Sequence, residues 1–203
     1  DPNEYRQLCR RIFNNEFLTL KKCWLHYVRC EYLSEIKSKL SSCHLECLKL
    51  NYCKTKTFYF LIQNLTNLKS LKVGIDEYQS VFIAITTPKI LIKLINLRLI
   101  LSFPTTINFD QLEDLLSITP NLIHFSLSQG THDSKYLNID CWKSISSKLN
   151  NLQKFWCNIL VYDCTKGSQI LFGNIEEIQK QHLTFKRMSY QRTSDFRIRI
   201  YTQ

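Results

Sequence analysis

Glycine and proline are scarce in this sequence, four of each in 203 residues. That scarcity excludes collagen-like and linker-like chains. Long apolar runs are missing as well. The longest stretch, 90–101, is broken by Lys93, Asn96 and Arg98, and nothing approaches the roughly 18–20 apolar residues of a membrane-spanning helix. Acidic residues are the minority, 17 Asp and Glu against 27 Lys and Arg, which leaves a net charge of +10. Catalytic signatures are lacking too. There is no phosphate-binding loop, no G-x-G-x-x-G, no H-E-x-x-H and no G-x-S-x-G. The five histidines (26, 44, 124, 132, 182) are scattered, and His132-Asp133, soon after Gly130, reads as a solvated turn. The sequence therefore predicts neither an enzyme nor a cofactor. What is present is 44% hydrophobic and 22% charged, enough to build a sizeable core and to exclude wholesale disorder. The length suits one domain over 1–203, since domains typically hold about 100–200 residues.

Nine cysteines stand at 9, 23, 30, 43, 47, 53, 141, 157 and 164. An odd number in a chain this long does not read as a disulfide framework. Cys43, Cys47 and Cys53 with His44 form the tightest group, yet C-x3-C-x5-C lacks the second close pair of a structural zinc site. Buried free thiols in a reducing compartment are the expectation, with no metal. The N-terminus has no apolar signal core, so an intracellular location is expected, cytoplasmic or nuclear. The absence of an initiator Met reads as a fragment or processed form. The one glycosylation triplet, Asn64-Leu65-Thr66, is a match expected by chance.

A repeat is present in irregular spacing. Two apolar positions three apart are followed by a third two further on. The copies are Leu20-Cys23-Leu25, Leu45-Leu48-Leu50, Leu68-Leu71-Val73, Leu94-Leu97-Leu99, Leu122-Phe125-Leu127 and Leu152-Phe155-Cys157. Their first positions are 25, 23, 26, 28 and 30 residues apart, largely within the leucine-rich period of about 20–29. The segments between them read as helices. In 109–118, Phe109, Leu112, Leu115, Leu116 and Ile118 share one face, with Asn108 as N-cap and Pro120 as stop. Ile139, Trp142, Ile145 and Leu149 repeat the pattern, as do Phe58, Leu61, Ile62 and Leu65, and Tyr32, Ile36 and Leu40. Only 77–93 is awkward, because β-branched residues and Pro88 limit any helix there. Neither strand nor helix can bury its apolar side alone, so stacking must do it. The expected fold is α/β, an irregular leucine-rich-repeat solenoid of about six strand–loop–helix units. Its repeats cover about 15–160, with 161–203 as a C-terminal cap.

Through these triplets, and through the phrases Phe109 to Leu122 and Ile139 to Leu152, the chain resembles the leucine-rich-repeat region of F-box proteins. The likeness is closest to divergent branches expanded in some invertebrates. The consensus position after the triplet, normally Asn or Cys, is filled as expected only by Cys53; elsewhere stand Val28, Asp76, Ser102, Gly130 and Leu160. The F-box itself is not visible, so one would lie upstream. The resemblance implies substrate recognition for an SCF-type ubiquitin ligase, with the Skp1 adaptor and cullin engaged only through an F-box outside this chain.

Residues alternating with the buried strand positions should face the concave side. They are Lys22, Trp24 and His26; Cys47, Lys49 and Asn51; Ser70, Lys72 and Gly74; Asn96, Arg98 and Ile100; His124, Ser126 and Ser128; and Lys154, Trp156 and Asn158. Five are Lys or Arg and none is acidic. Two are Trp, a residue enriched with Arg at binding hot spots. An acidic protein or peptide is the expected partner, with nucleic acid second and no membrane. The plainer alternative is a solvated face, and a slip of one residue would reverse every assignment. Residues 179–203 add six basic side chains against Asp195. There Phe196, Ile198 and Ile200 alternate with Arg197, Arg199 and Tyr201, which predicts a closing strand with its arginines in water.

Overall fold

The computed structural model describes residues 1–33, 43–76, 90–102, 106–162, 179–180, 185–194 and 197–202. Ile36, Leu40, 77–89, Cys164, His182, Asp195 and Phe196 lie outside these. The described chain is α/β and holds one open, eight-stranded, mostly parallel sheet. After helix α1 (Pro2–Phe13) come β1 (Lys22–Val28), the short α2 (Cys30–Leu33), β2 (Cys47–Cys53), α3 (Thr55–Asn64), β3 (Ser70–Ile75) and β4 (Asn96–Leu101). Then follow α4 (Phe109–Ser117), β5 (His124–Thr131), a 3-10 turn (Ser134–Leu137), α5 (Ile139–Lys148), β6 (Lys154–Tyr162), β7 (Met188–Ser194) and β8 (Arg197–Thr202). No described helix is long and apolar enough to cross a membrane.

Strands β1 to β6 lie side by side in chain order, all parallel, and β8 then β7 close the edge antiparallel. The middle apolar position of every triplet is in step: Cys23, Leu48, Leu71, Leu97, Phe125 and Phe155 pair successively. Two repeated backbone devices enforce this register. Before five of the strands a tight turn sends an N–H back three residues, from Leu20, Leu68, Leu94, Leu122 and Leu152, at 2.9–3.4 Å. Then one carbonyl accepts two N–H groups from the next unit at 2.7–3.0 Å; Lys21, Glu46, Lys69, Ile95 and Ile123 supply these carbonyls in turn. A buried backbone group left unpaired is costly, so each doubled bond penalises a slipped strand.

An asparagine ladder is present as well, though not at the consensus position. It stands one residue before the triplet. The Asn67 amide donates to the Cys43 carbonyl at 3.0 Å, Asn121 to the Ile92 carbonyl at 2.9 Å, and Asn151 to the Asn121 side chain at 3.4 Å. Lys93, at the corresponding place in its unit, donates to Asn67 at 2.6 Å.

The triplets and the helix faces enter one core. All five apolar residues of 109–118 are buried, and Trp142, Tyr136, Phe109, Phe155 and Phe185 form edge-on aromatic contacts at 5.1–6.2 Å. Asn108 caps α4 as expected, in a capping box with Gln111. Asp133 does more than a solvated turn residue: its carboxylate accepts the Phe109 N–H at 2.7 Å and the Lys135 N–H at 2.9 Å. At the other end Tyr5 of α1 covers the sheet edge, its hydroxyl donating to the Tyr27 carbonyl at 2.8 Å. The predicted closing strand is β8, with Ile198 and Ile200 buried and Arg197 and Arg199 exposed. Its partner β7 was not foreseen.

Candidate functional site

With one side of the sheet under helices, the other presents the residues that alternate with the triplets. Seventeen of the eighteen outward positions are exposed or half-buried; Gly74 alone is buried. Gly74 marks an irregularity. Leu50 pairs with Val73 but Cys53 with Ile75, so β2 carries an extra residue there, a bulge. In β3 to β6 the alternation continues without it, and Ile75, Leu101, Gln129 and Ile159 take the buried place that Cys53 holds in β2. This explains why the consensus Asn or Cys position goes unfilled in those units.

Pairing sorts the outward residues into rows. The first is Lys22, Cys47, Ser70, Asn96, His124 and Lys154. The second is Trp24, Lys49, Lys72, Arg98, Ser126 and Trp156. Three cations thus stand on three adjacent strands, about 4.8 Å apart at the backbone, with a tryptophan at each end of the row. Trp24 is 66% and Trp156 41% exposed, much for so large an apolar side chain.

Neighbouring side chains hold this row in place. The Lys49 ammonium lies 3.4 Å from the Trp24 ring centre, and the Arg98 guanidinium lies 5.8 Å from that of Trp156. The Trp24 indole donates to Asn51 at 3.0 Å, and the Asn51 amide meets His26 Nδ1 at 3.3 Å. His124 is hydrogen-bonded to Asn96, and Asn158 accepts from Arg199 at 2.8 Å. Like charges side by side are unfavourable in a sheet. Partial desolvation, and then the charges of Arg98 and Lys49, push the Lys72 ammonium below its ordinary value.

A groove of about 730 Å³ crosses β3 to β6 over this row. Lys72, Arg98, Lys154, His124 and Trp156 line it, joined by Arg187 and Thr202 from the tail. Among the described residues no carboxylate lines it. Arg187 could not have been placed here from spacing alone; the only signal was the basic tail. Beyond the groove, Arg197 lies 5.3 Å from the Tyr162 ring and Arg199 5.7 Å from that of Tyr201.

The cysteines face different surroundings. Cys43 and Cys53 are in the core, Cys47 stands half-buried in the first row, and His44 is exposed. Among the described residues no group of three or more His, Cys, Asp or Glu is placed to hold a metal. Burial raises the thiols of Cys9, to about 11, and of Cys23, Cys43, Cys141 and Cys157, so these are poor nucleophiles.

Compared with known proteins, the chain matches no family model, no curated protein and no solved structure.

Proposed function

We propose that the chain is an irregular leucine-rich-repeat solenoid whose open face binds an acidic protein or peptide. The cation row of Lys49, Lys72 and Arg98 between two exposed tryptophans carries this reading. Adjacent uncompensated cations cost the free protein energy, and an anionic partner relieves it. The tryptophans offer large, already ordered apolar area at both ends. The solenoid reading is supported by the in-order parallel strands and by the turn and doubled hydrogen bonds that recur between units.

The resemblance to F-box proteins extends the proposal. Joined to an F-box outside this chain, which would grip Skp1 and through it a cullin, the face would select substrates for an SCF-type ubiquitin ligase. Two experiments separate these levels. A charge-reversed Lys72→Glu/Arg98→Glu variant should lose at least tenfold of its affinity for a polyglutamate peptide; unchanged binding would remove the face from the proposal. Affinity purification of the full-length protein should recover Skp1 and a cullin, and recovery of neither would sink the ligase role.

A second reading, binding of single-stranded nucleic acid, is favoured by the arginine–tyrosine pairs on β6 and β8. It predicts affinity for oligonucleotides that falls steeply with salt.

A further inference from the structure

Resting on the reading that the open face receives an acidic peptide, we infer that the groove across β3 to β6 is a seat for a phosphorylated side chain. Lys72, Arg98 and Lys154 are its cations, and Trp156 is the wall for the neighbouring residue.

The argument begins with charge. Lys72 and Arg98 are direct cross-strand partners, Lys154 stands one row away, and Arg187 reaches the same groove from the tail. Among the described residues no carboxylate pairs with Lys72, Arg98 or Lys154. Several surface lysines elsewhere are paired: Lys21 and Lys69 with Glu46, Lys135 with Asp110, Lys148 with Glu113. The groove is therefore where the described chain concentrates positive charge and withholds its own acids. One carboxylate would bring a single charge and two acceptor oxygens. A phosphate monoester brings about −1.5 to −2 and three strong acceptor oxygens, which suits three cations that line one groove from three strands. Arg98 adds a planar fork that meets two phosphate oxygens at once.

Polar groups complete the seat. Ser70, Asn96 with its partner His124, and Ser126 line the same groove. At one end, the exposed ring of Trp156 forms an apolar wall. The other tryptophan, Trp24, lies outside the groove, with the Lys49 ammonium over its ring. The groove is therefore asymmetric: an anion over Lys72 and Arg98, an apolar side chain over Trp156. A peptide carrying both within two or three residues fits this spacing, since alternate side chains of an extended peptide are about 6.6–6.8 Å apart.

The test uses the immobilised full chain and three degenerate nonapeptide mixtures that differ only at a fixed central phosphoserine, glutamate or serine. Retained peptides are quantified by mass spectrometry. The phosphoserine mixture should be retained about tenfold more than the glutamate mixture, with apolar residues enriched two or three positions from the phosphate. Arg98→Gln and, separately, Lys72→Gln should abolish that preference, while Lys56→Gln on the helical side should leave it intact. All three residues are at least partly exposed, and matching thermal unfolding of the variants checks that they fold. Equal retention of phosphoserine and glutamate peptides overturns the phosphate seat and leaves the acidic-peptide reading standing. Retention of neither above serine overturns both. Displacement of the bound phosphopeptides by a decauridine strand at equimolar concentration assigns the groove to nucleic acid instead.

Discussion

Gly74 is small because the strand beside it is one residue longer. A Cβ on Gly74 would lie 1.9 Å from the Asn51 carbonyl oxygen, a backbone atom that can move only if the bulge in β2 moves. Neither described φ nor a turn demands glycine there; close approach does. Gly130 is a contrasting case. Its Cβ would meet the far end of the Tyr162 ring at 2.7 Å, and that side chain can rotate away. Gly74→Val should therefore cost about 2–4 kcal/mol in urea unfolding, and Gly130→Ala clearly less; equal costs would contradict the bulge as the cause. Other single residues were legible in the sequence. Asn108 announced a cap, Trp142 a buried face, and Arg199 a wet one. Gly74 was read only as an outward strand position, because the carbonyl that crowds it belongs to a strand 23 residues earlier.

Among elements, the helices of 109–118 and 139–149 were readable because their apolar spacing, caps and stops are all local. The strands were readable for the same reason, each triplet carrying its own alternation. The asparagines that tie unit to unit were not, since a residue before a strand gains meaning only when its amide reaches the carbonyl of the preceding unit. Asn121 bridges the Ile92 carbonyl and the Asn151 side chain. Asn121→Ala should cost about 1 kcal/mol in chemical denaturation. It should also speed hydrogen exchange at the Ile123 and His124 amides, which pin β5 to the Ile95 carbonyl. A stability loss with no change in exchange there would separate the ladder from register.

At the scale of the whole molecule, two carboxylates link successive units. The Lys69 ammonium at 2.8 Å, with Lys21 at 3.5 Å, holds Glu46 below the ordinary carboxylate range. Lys148 and Ser144, each at 2.5 Å, do the same for Glu113 between α4 and α5. Because the folded pKa is lowered in both, the stabilisation is present above the unfolded value of about 4.3. It is lost as pH falls through the folded value. The urea midpoint should therefore drop between pH 5 and pH 3, and a Glu46→Gln/Glu113→Gln variant should show a shallower drop. An identical drop in the variant would assign acid sensitivity to other carboxylates.

By itself the sequence determined the number and place of the first six strands and which of their side chains point inward, because a period of two and a triplet of apolar residues are local properties. It also determined that the opposite side is basic, since Lys22, Lys49, Lys72, Arg98 and Lys154 share the parity of the outward positions. Only the tertiary structure decided what those cations make together. Pairing set Lys49, Lys72 and Arg98 in a single row between Trp24 and Trp156. The bulge set Asn51 against Gly74, and the antiparallel return of β8 and β7 brought Arg187 and Thr202 to the groove. The physical reason is distance along the chain: alternation acts between neighbours, whereas a groove is shaped by strands that meet across a hundred residues.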